Sequence, residues 1–266
     1  MFSNEVKEEL AKVSPRIREK VTARVIEILA LAESYRYLGN GFTFDRIGDD
    51  DDAINRMLIK LSDEVIQDAE KTARTAIGES VDDDDDALLL IASGNNSLQE
   101  RIDSYSSHLK YILEGWIAIG FAYKVSGSDL LTQIISHFDD PYSHPLWRSA
   151  FRQGREFASD IIKMGGYTWG KGSPVNPIKG MTIVSQTFIT EAYQEGVREG
   201  FRRAGVEYFR VNRGSGFDCA VCDSVCSKVY TIDQAPLPVH PRCMCWMSPA
   251  TQEDMEKYES DFGGLE

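Results

Sequence analysis

All five cysteines of this 266-residue chain fall between Cys219 and Cys245. The N-terminus, MFSNEVKEELAKV, is charged and has no apolar core, so no signal peptide is expected. A reducing compartment is therefore expected, where clustered cysteines point to metal before disulfides. The pattern is Cys219-x2-Cys222, then 17 residues, then His240-x2-Cys243-x-Cys245, with Cys226 between the halves. A CxxC turn can offer two thiolates to one ion, and a second close pair can complete the tetrahedral shell of structural zinc. The best shell is Cys219, Cys222, His240 and Cys243, with Cys245 as a substitute for Cys243 or His240. Gly214 and Gly216 before the first pair, and Pro236, Pro238 and Pro241 around the second, stiffen the approach loops. Two other readings stay open: disulfides formed after cell lysis, and reduced cysteines packed as small hydrophobes.

The rest of the chain reads as helix. Ser14-Pro15 has the form of an N-cap followed by proline at the first helical position. From there Ile17, Val21, Val25, Ile28 and Ala32 mark one apolar face, and Gly39 can end the helix. Ile54, Leu58, Leu61, Val65, Ala69 and Ala73 mark a second helix, stopped near Gly78. Ser97 and Glu100 have capping-box spacing and open a third, through Ile102, Tyr105, Leu109, Ile112, Trp116, Ile119 and Tyr123. Further helices are expected at 128–137 and 145–164. Such stripes are read as internal core rather than as a partner surface. No apolar run is long enough to span a membrane, and the best candidate, Leu109–Val125, carries Lys110, Glu114 and Lys124. The aspartate runs Asp49–Asp52 and Asp82–Asp86 each precede an apolar segment, where the free N–H groups and dipole of a helix start favour carboxylates. Neither has the layout of a calcium loop.

The segment 165–180 is rich in glycine and proline and reads as an ordered, irregular connection. Beyond it, Met181–Ala204 reads as a helix ended by Gly205, and Val206–Arg213, Val229–Ile232 and Cys245–Met247 as short strands. The expected fold is mainly α, with a small α+β C-terminal module clamped by cysteine and histidine. Its parts are a helical domain at 1–164, the connection at 165–180, the module at 181–250 and an acidic tail at 251–266.

The net charge of -13 makes the chain a poor general binder of phosphate backbones. The module is balanced in charge and holds a local basic cluster, Arg198, Arg202, Arg203, Arg210 and Arg213. These are candidate nucleic-acid contacts, against the plainer reading of a solvated helix and strand face. Catalysis finds little support. A zinc deaminase needs His/Cys-x-Glu and Pro-Cys-x-x-Cys, but Asp218 precedes Cys219 and Pro241-Arg242 follows His240. A nucleophile pair such as Cys219 with His240 lacks an evident orienting group or oxyanion hole. His108, His137 and His144 are read as surface or core residues, and no P-loop, dinucleotide fingerprint or HExxH occurs.

The order of motifs is informative as a whole. Ile189-Thr190-Glu191, a helix to Ala204-Gly205-Val206, the strand EYFRVNR, Asp218-Cys219-Ala220-Val221-Cys222, Lys228-Val229-Tyr230 and Pro238-Val239-His240-Pro241-Arg242-Cys243-Met244-Cys245 follow in sequence. This resembles the C-terminal module of the phage Mu protein F-like head-morphogenesis family. That family typically shows a threonine-glutamate helix, a strand, a CxxC pair, a glycine-lysine-valine turn and a His-Pro-x-Cys-Arg-Cys ending. The chain departs from it at Ile189, where arginine is common, at Ser227 for the turn glycine, at Met244 for arginine, and in the extra Cys226. The departures spare the expected ligands.

The resemblance implies a minor capsid protein of a tailed phage or prophage, without enzymatic activity, present in few copies near the portal. Its partners would be the portal protein and capsid or scaffold proteins. Its place would be the virion head or procapsid, and the host cytoplasm during assembly. The rival readings are a metal-dependent hydrolase or toxin-like enzyme, and a zinc-module DNA-binding protein.

Overall fold

The computed structural model describes residues 4–77, 97–140, 148, 158–169, 172–214, 216–234 and 236–262. Asp82–Asp86, His144 and most of the helix expected at 145–164 lie outside these residues. The described elements are α1 (Asn4–Ala32), α2 (Asp49–Ile77), α3 (Leu98–Ala122), α4 (Gly127–Asp139), α5 (Ala158–Lys163), β1 (Thr168–Trp169), β2 (Ser173–Pro174), α6 (Pro177–Arg203), β3 (Tyr208–Asn212), α7 (Ala220–Val225), β4 (Val229–Thr231), β5 (Trp246–Pro249) and α8 (Gln252–Phe262). The fold is mainly α with a small three-stranded antiparallel sheet near the C-terminus, as expected. No helix among the described residues is long and apolar enough to cross a membrane.

Two compact units are defined, and neither is one continuous stretch. One comprises Met1–Ala11, Ala69–Gly94 and Gln186–Glu266; the other comprises Lys12–Asp68 and Asn95–Ser185. The expected boundary at 165–180 therefore lies inside the second unit, and α1, α2 and α6 each contribute to both.

The second unit is helical. The stripes Ile17, Val21, Val25, Ile28 and Ile54, Leu58, Leu61, Val65 are all buried. Ser97 caps α3 with both capping-box hydrogen bonds, Glu100 N to Ser97 Oγ (3.1 Å) and Ser97 N to Glu100 Oε2 (3.1 Å). Trp116 and Tyr105 of α3 are fully buried, but Tyr123 at its end is exposed and Phe121 takes the inward place. His108 and His137 are core residues. Asp49–Asp52 form the first turn of α2, and Asp51 pairs with Lys110 at 2.5 Å.

Two helix starts depart from expectation. α1 begins at Asn4 and runs through Pro15, because Val6, Leu10 and Val13 extend the buried stripe upstream of the proline. α6 begins at Pro177 rather than Met181, and Asn176 caps it by accepting from Lys179 N (2.9 Å). The glycine-rich connection also contains a small hairpin, β1 with β2. Tyr167 there donates its backbone N–H to Tyr105 Oη (2.7 Å) and accepts from Arg101 (2.9 Å), so this loop packs on its own unit.

In the first unit β3 is the central strand, with β4 and β5 antiparallel on its two sides. Phe209 pairs with Tyr230 on one side and Pro249 on the other, and Val211 pairs with Met247. The period of two sends Phe209 and Val211 inward, where both are fully buried. The expected acidic tail is largely helix: Thr251 and Asp254 cap α8 reciprocally, and Asp254 pairs with Arg210 of β3 at 2.9 Å.

Candidate metal centre

The sheet's inner face and the cysteines form one small core. Phe209, Val211, Cys222, Leu237, Cys243, Cys245 and Met247 are buried together, with Val197 and Phe201 of α6 packed against them. Position on α7 explains how one stretch delivers its sulfurs. Cys219 is the residue before the helix, Cys222 lies in it and Cys226 follows it. Spacings of three and four put all three on one side of a helical turn. Backbone N–H of Cys222 donates to Cys219 Sγ (3.4 Å), so Cys219 also caps α7 and its thiol is pulled below the usual range by that bond. Ser227 then sits at φ 65°, the left-handed position that a glycine takes without strain, and its N–H reaches Val211 O (2.7 Å).

The second stretch is held from α6. Gln194, buried, donates its amide to Cys245 O, and Thr187 Oγ1 accepts from Arg242 N (3.2 Å). These fix the Arg242–Cys245 backbone. Gly214, two residues beyond β3, lies so close to Met244 O that a Cβ there would overlap it. Neither Thr187 nor Gln194 was singled out from the sequence, because their partners lie 55 and 51 residues away.

The donors converge in two triads. Cys219 Sγ, Cys222 Sγ and a His240 ring nitrogen lie within 4.8 Å of one another, as do the sulfurs of Cys222, Cys243 and Cys245. All of the expected ligands are thus at one place, but the expected shell is divided. Cys243 stands with Cys222 and Cys245 in the second triad rather than with Cys219 and His240 in the first. Cys226, which was not placed in the expected shell, brings its sulfur to 3.6 Å from Cys245 Sγ. All five thiols are free. A disulfide needs about 2.05 Å between sulfurs.

The chemistry of the donors fits a divalent ion. His240 Nε2 lies 2.9 Å from Cys222 Sγ, while Nδ1 lies 2.8 Å from Pro241 O. Donation from Nδ1 to that carbonyl leaves Nε2 with its lone pair toward the sulfurs, the arrangement that orients a metal-binding imidazole. Burial pushes the Cys222 and Cys243 thiols up, and burial with the Cys245 contact pushes Cys226 up to about 12. Neutral packing favours protonated thiols here, and a cation is what would favour thiolates. The cluster Cys222, Cys243, Cys245 and His240 could therefore hold a metal ion. Within the first triad the two thiols differ: Cys222, in contact with His240, is buried and its thiolate is disfavoured, whereas Cys219 is partly exposed and its thiol is pulled below the usual range.

The five candidate nucleic-acid arginines are each matched by a carboxylate. Arg198 pairs with Glu195, Arg202 with Glu195, Glu199 and Asp233, Arg203 with Glu199, Arg210 with Asp254, and Arg213 with Asp223. They form a set of ion pairs involving α6, β3, α7, α8 and the segment at Asp233.

Fold and site together define a largely helical protein that carries a small sheet closed by a Cys/His cluster. No family model matches the chain, and neither a curated protein nor a solved structure matches it.

Proposed function

We propose that the chain is a minor head-morphogenesis protein of a tailed phage or prophage that acts by structural assembly near the portal. The observation that carries this reading is the cooperation of the ordered motifs. The threonine-glutamate helix, the EYFRVNR strand, the CxxC turn and the HPRCMC ending resemble the Mu F-like module in order, and here they meet in one core. In this reading the cluster binds zinc as a structural clamp. So small a sheet buries little apolar area alone, and metal binding free energy is folding free energy in such a unit. The role is mechanical: a rigid surface presented to portal, capsid or scaffold subunits, with no catalysis.

The DNA-binding alternative is weakened by the pairing of all five arginines. The enzymatic alternative would rest on Cys219 and His240, for which the sequence shows no orienting group or oxyanion hole. The test is co-expression with the portal and major capsid proteins encoded beside its gene. The proposal expects the chain to be retained in purified procapsids at a few copies per particle. Particles that assemble normally and exclude it would contradict the proposal, as would a gene neighbourhood without terminase and portal genes.

A further inference from the structure

We propose that the cluster is built for two metal ions bridged by the Cys222 thiolate, with Cys226 as a ligand of the inner ion. This rests on the metal-binding reading above and extends it. A tetrahedral ion takes four donors. The cluster brings together six: Cys219, Cys222, Cys226, His240, Cys243 and Cys245. Five of them are arranged as two triads that share one sulfur, that of Cys222, and the sixth, Cys226, lies against Cys245.

The outer ion takes Cys219, Cys222 and His240, of which Cys219 and His240 are partly exposed. The inner ion takes Cys222, Cys243 and Cys245, all buried, and Cys226, whose sulfur lies beside that of Cys245, is the further sulfur donor on that side. The Cys226–Cys245 separation of 3.6 Å is close to the value of about 3.8 Å that two thiolates on one tetrahedral zinc adopt at Zn–S bonds of about 2.3 Å. One shared sulfur leaves the outer ion a single ligand short, on the partly exposed side, where water or a partner's side chain can bind. Sharing Cys222 also limits buried negative charge, since one thiolate serves two cations. The Arg213 guanidinium, donating to Cys219 O at 3.3 Å, adds positive charge beside the outer site.

A single ion would leave two of the six donors without a role. The Cys226 thiol is in contact with that of Cys245. The ions suited to such a donor set are soft or borderline divalent ones, zinc first and cadmium as a probe.

The experiment counts zinc in the full-length protein, loaded under reducing conditions and freed of excess metal, by elemental analysis and by native mass. The proposal expects two ions per chain. It expects the inner ion of Cys226→Ser to be released at a chelator concentration at least about 10-fold lower, the usual scale for loss of a supporting group at a metal site. One ion per chain overturns the two-ion centre and leaves the single clamp standing; none overturns both. Two ions with unchanged chelator resistance in Cys226→Ser overturn the assignment of Cys226. Should that variant fail to fold, cadmium-loaded wild type decides, with two cadmium resonances coupled through a shared sulfur supporting the proposal and one resonance contradicting it.

Discussion

Gly214 shows how tightly the cluster is framed. Its Cα faces the carbonyl of Met244, between Cys243 and Cys245, with no room for a side chain. Gly214→Ala must therefore displace the Cys-x-Cys backbone at Met244. The expected result is a loss of stability of about 1–3 kcal/mol, the usual range for overpacking. Urea denaturation would read that loss, together with weaker zinc retention. Cys222→Ser goes further, because Cys222 belongs to both triads. It is expected to abolish tight zinc binding and raise hydrogen exchange across 206–250, whereas Cys219→Ser, at the exposed edge, should do so less. Equal zinc retention in both variants and wild type would contradict the placement of Cys222 at the centre. The spacing of Cys219, Cys222, His240, Cys243 and Cys245 made a ligand set visible in the sequence. Its division into triads was not visible, since that depends on how Gln194 and Thr187 seat the second stretch, and those are contacts between distant residues. Cys226 could have been found locally, by its spacing of four from Cys222 along one short helix.

At the scale of elements, two proline signals of the same form had opposite outcomes. Asn176-Pro177 starts α6, while Ser14-Pro15 sits inside α1. The local chemistry is alike; what differs is the buried stripe upstream, present at Val6, Leu10 and Val13. Tertiary burial outweighs a proline penalty of about 3 kcal/mol. Pro15→Ala is accordingly expected to stabilise the protein by about 1–3 kcal/mol, seen as a raised urea midpoint, and a lowered midpoint would contradict the continuous helix. By contrast, the capping box at Ser97 and the stripe of α2 were readable because both are set within a few residues.

His108 of α3 supplies a pH test. It is fully buried, neither ring nitrogen has a hydrogen-bond partner among the described residues, and burial pushes its pKa down to about 4 from 6.5. The unfolded chain thus binds a proton that the folded chain refuses between those values. Stability from this group is complete above about 6.5 and falls as pH drops toward 4. Its loss over that window is on the order of a few kcal/mol. Exchange protection in 102–121 should fall over the window in wild type and much less in His108→Leu. Parallel curves for the two proteins would contradict this.

At the scale of the whole molecule, fold class was readable and the division into units was not. Composition, periodicity and the short strands of 206–249 sufficed for a mainly helical chain with a small sheet. The units are assembled from non-consecutive stretches, with 1–11 and 69–94 grouped with 186–266. Nothing local in Val6 or Ile77 announces that grouping, because it is decided by which helix ends bury which apolar faces. Composition alone marked 251–266 as acidic and said nothing of its structure, which is set by Thr251 and Asp254 capping a helix and by Asp254 meeting Arg210 across 44 residues.

The most direct test of the account is hydrogen exchange of the full-length, zinc-loaded protein with and without a strong zinc chelator. Removing the ion should collapse protection in 206–250 while that of Leu98–Ala122 persists. Identical exchange across 206–250 in the two samples would show that the sulfurs and the imidazole hold their places without metal, and the clamp would have no part in the fold.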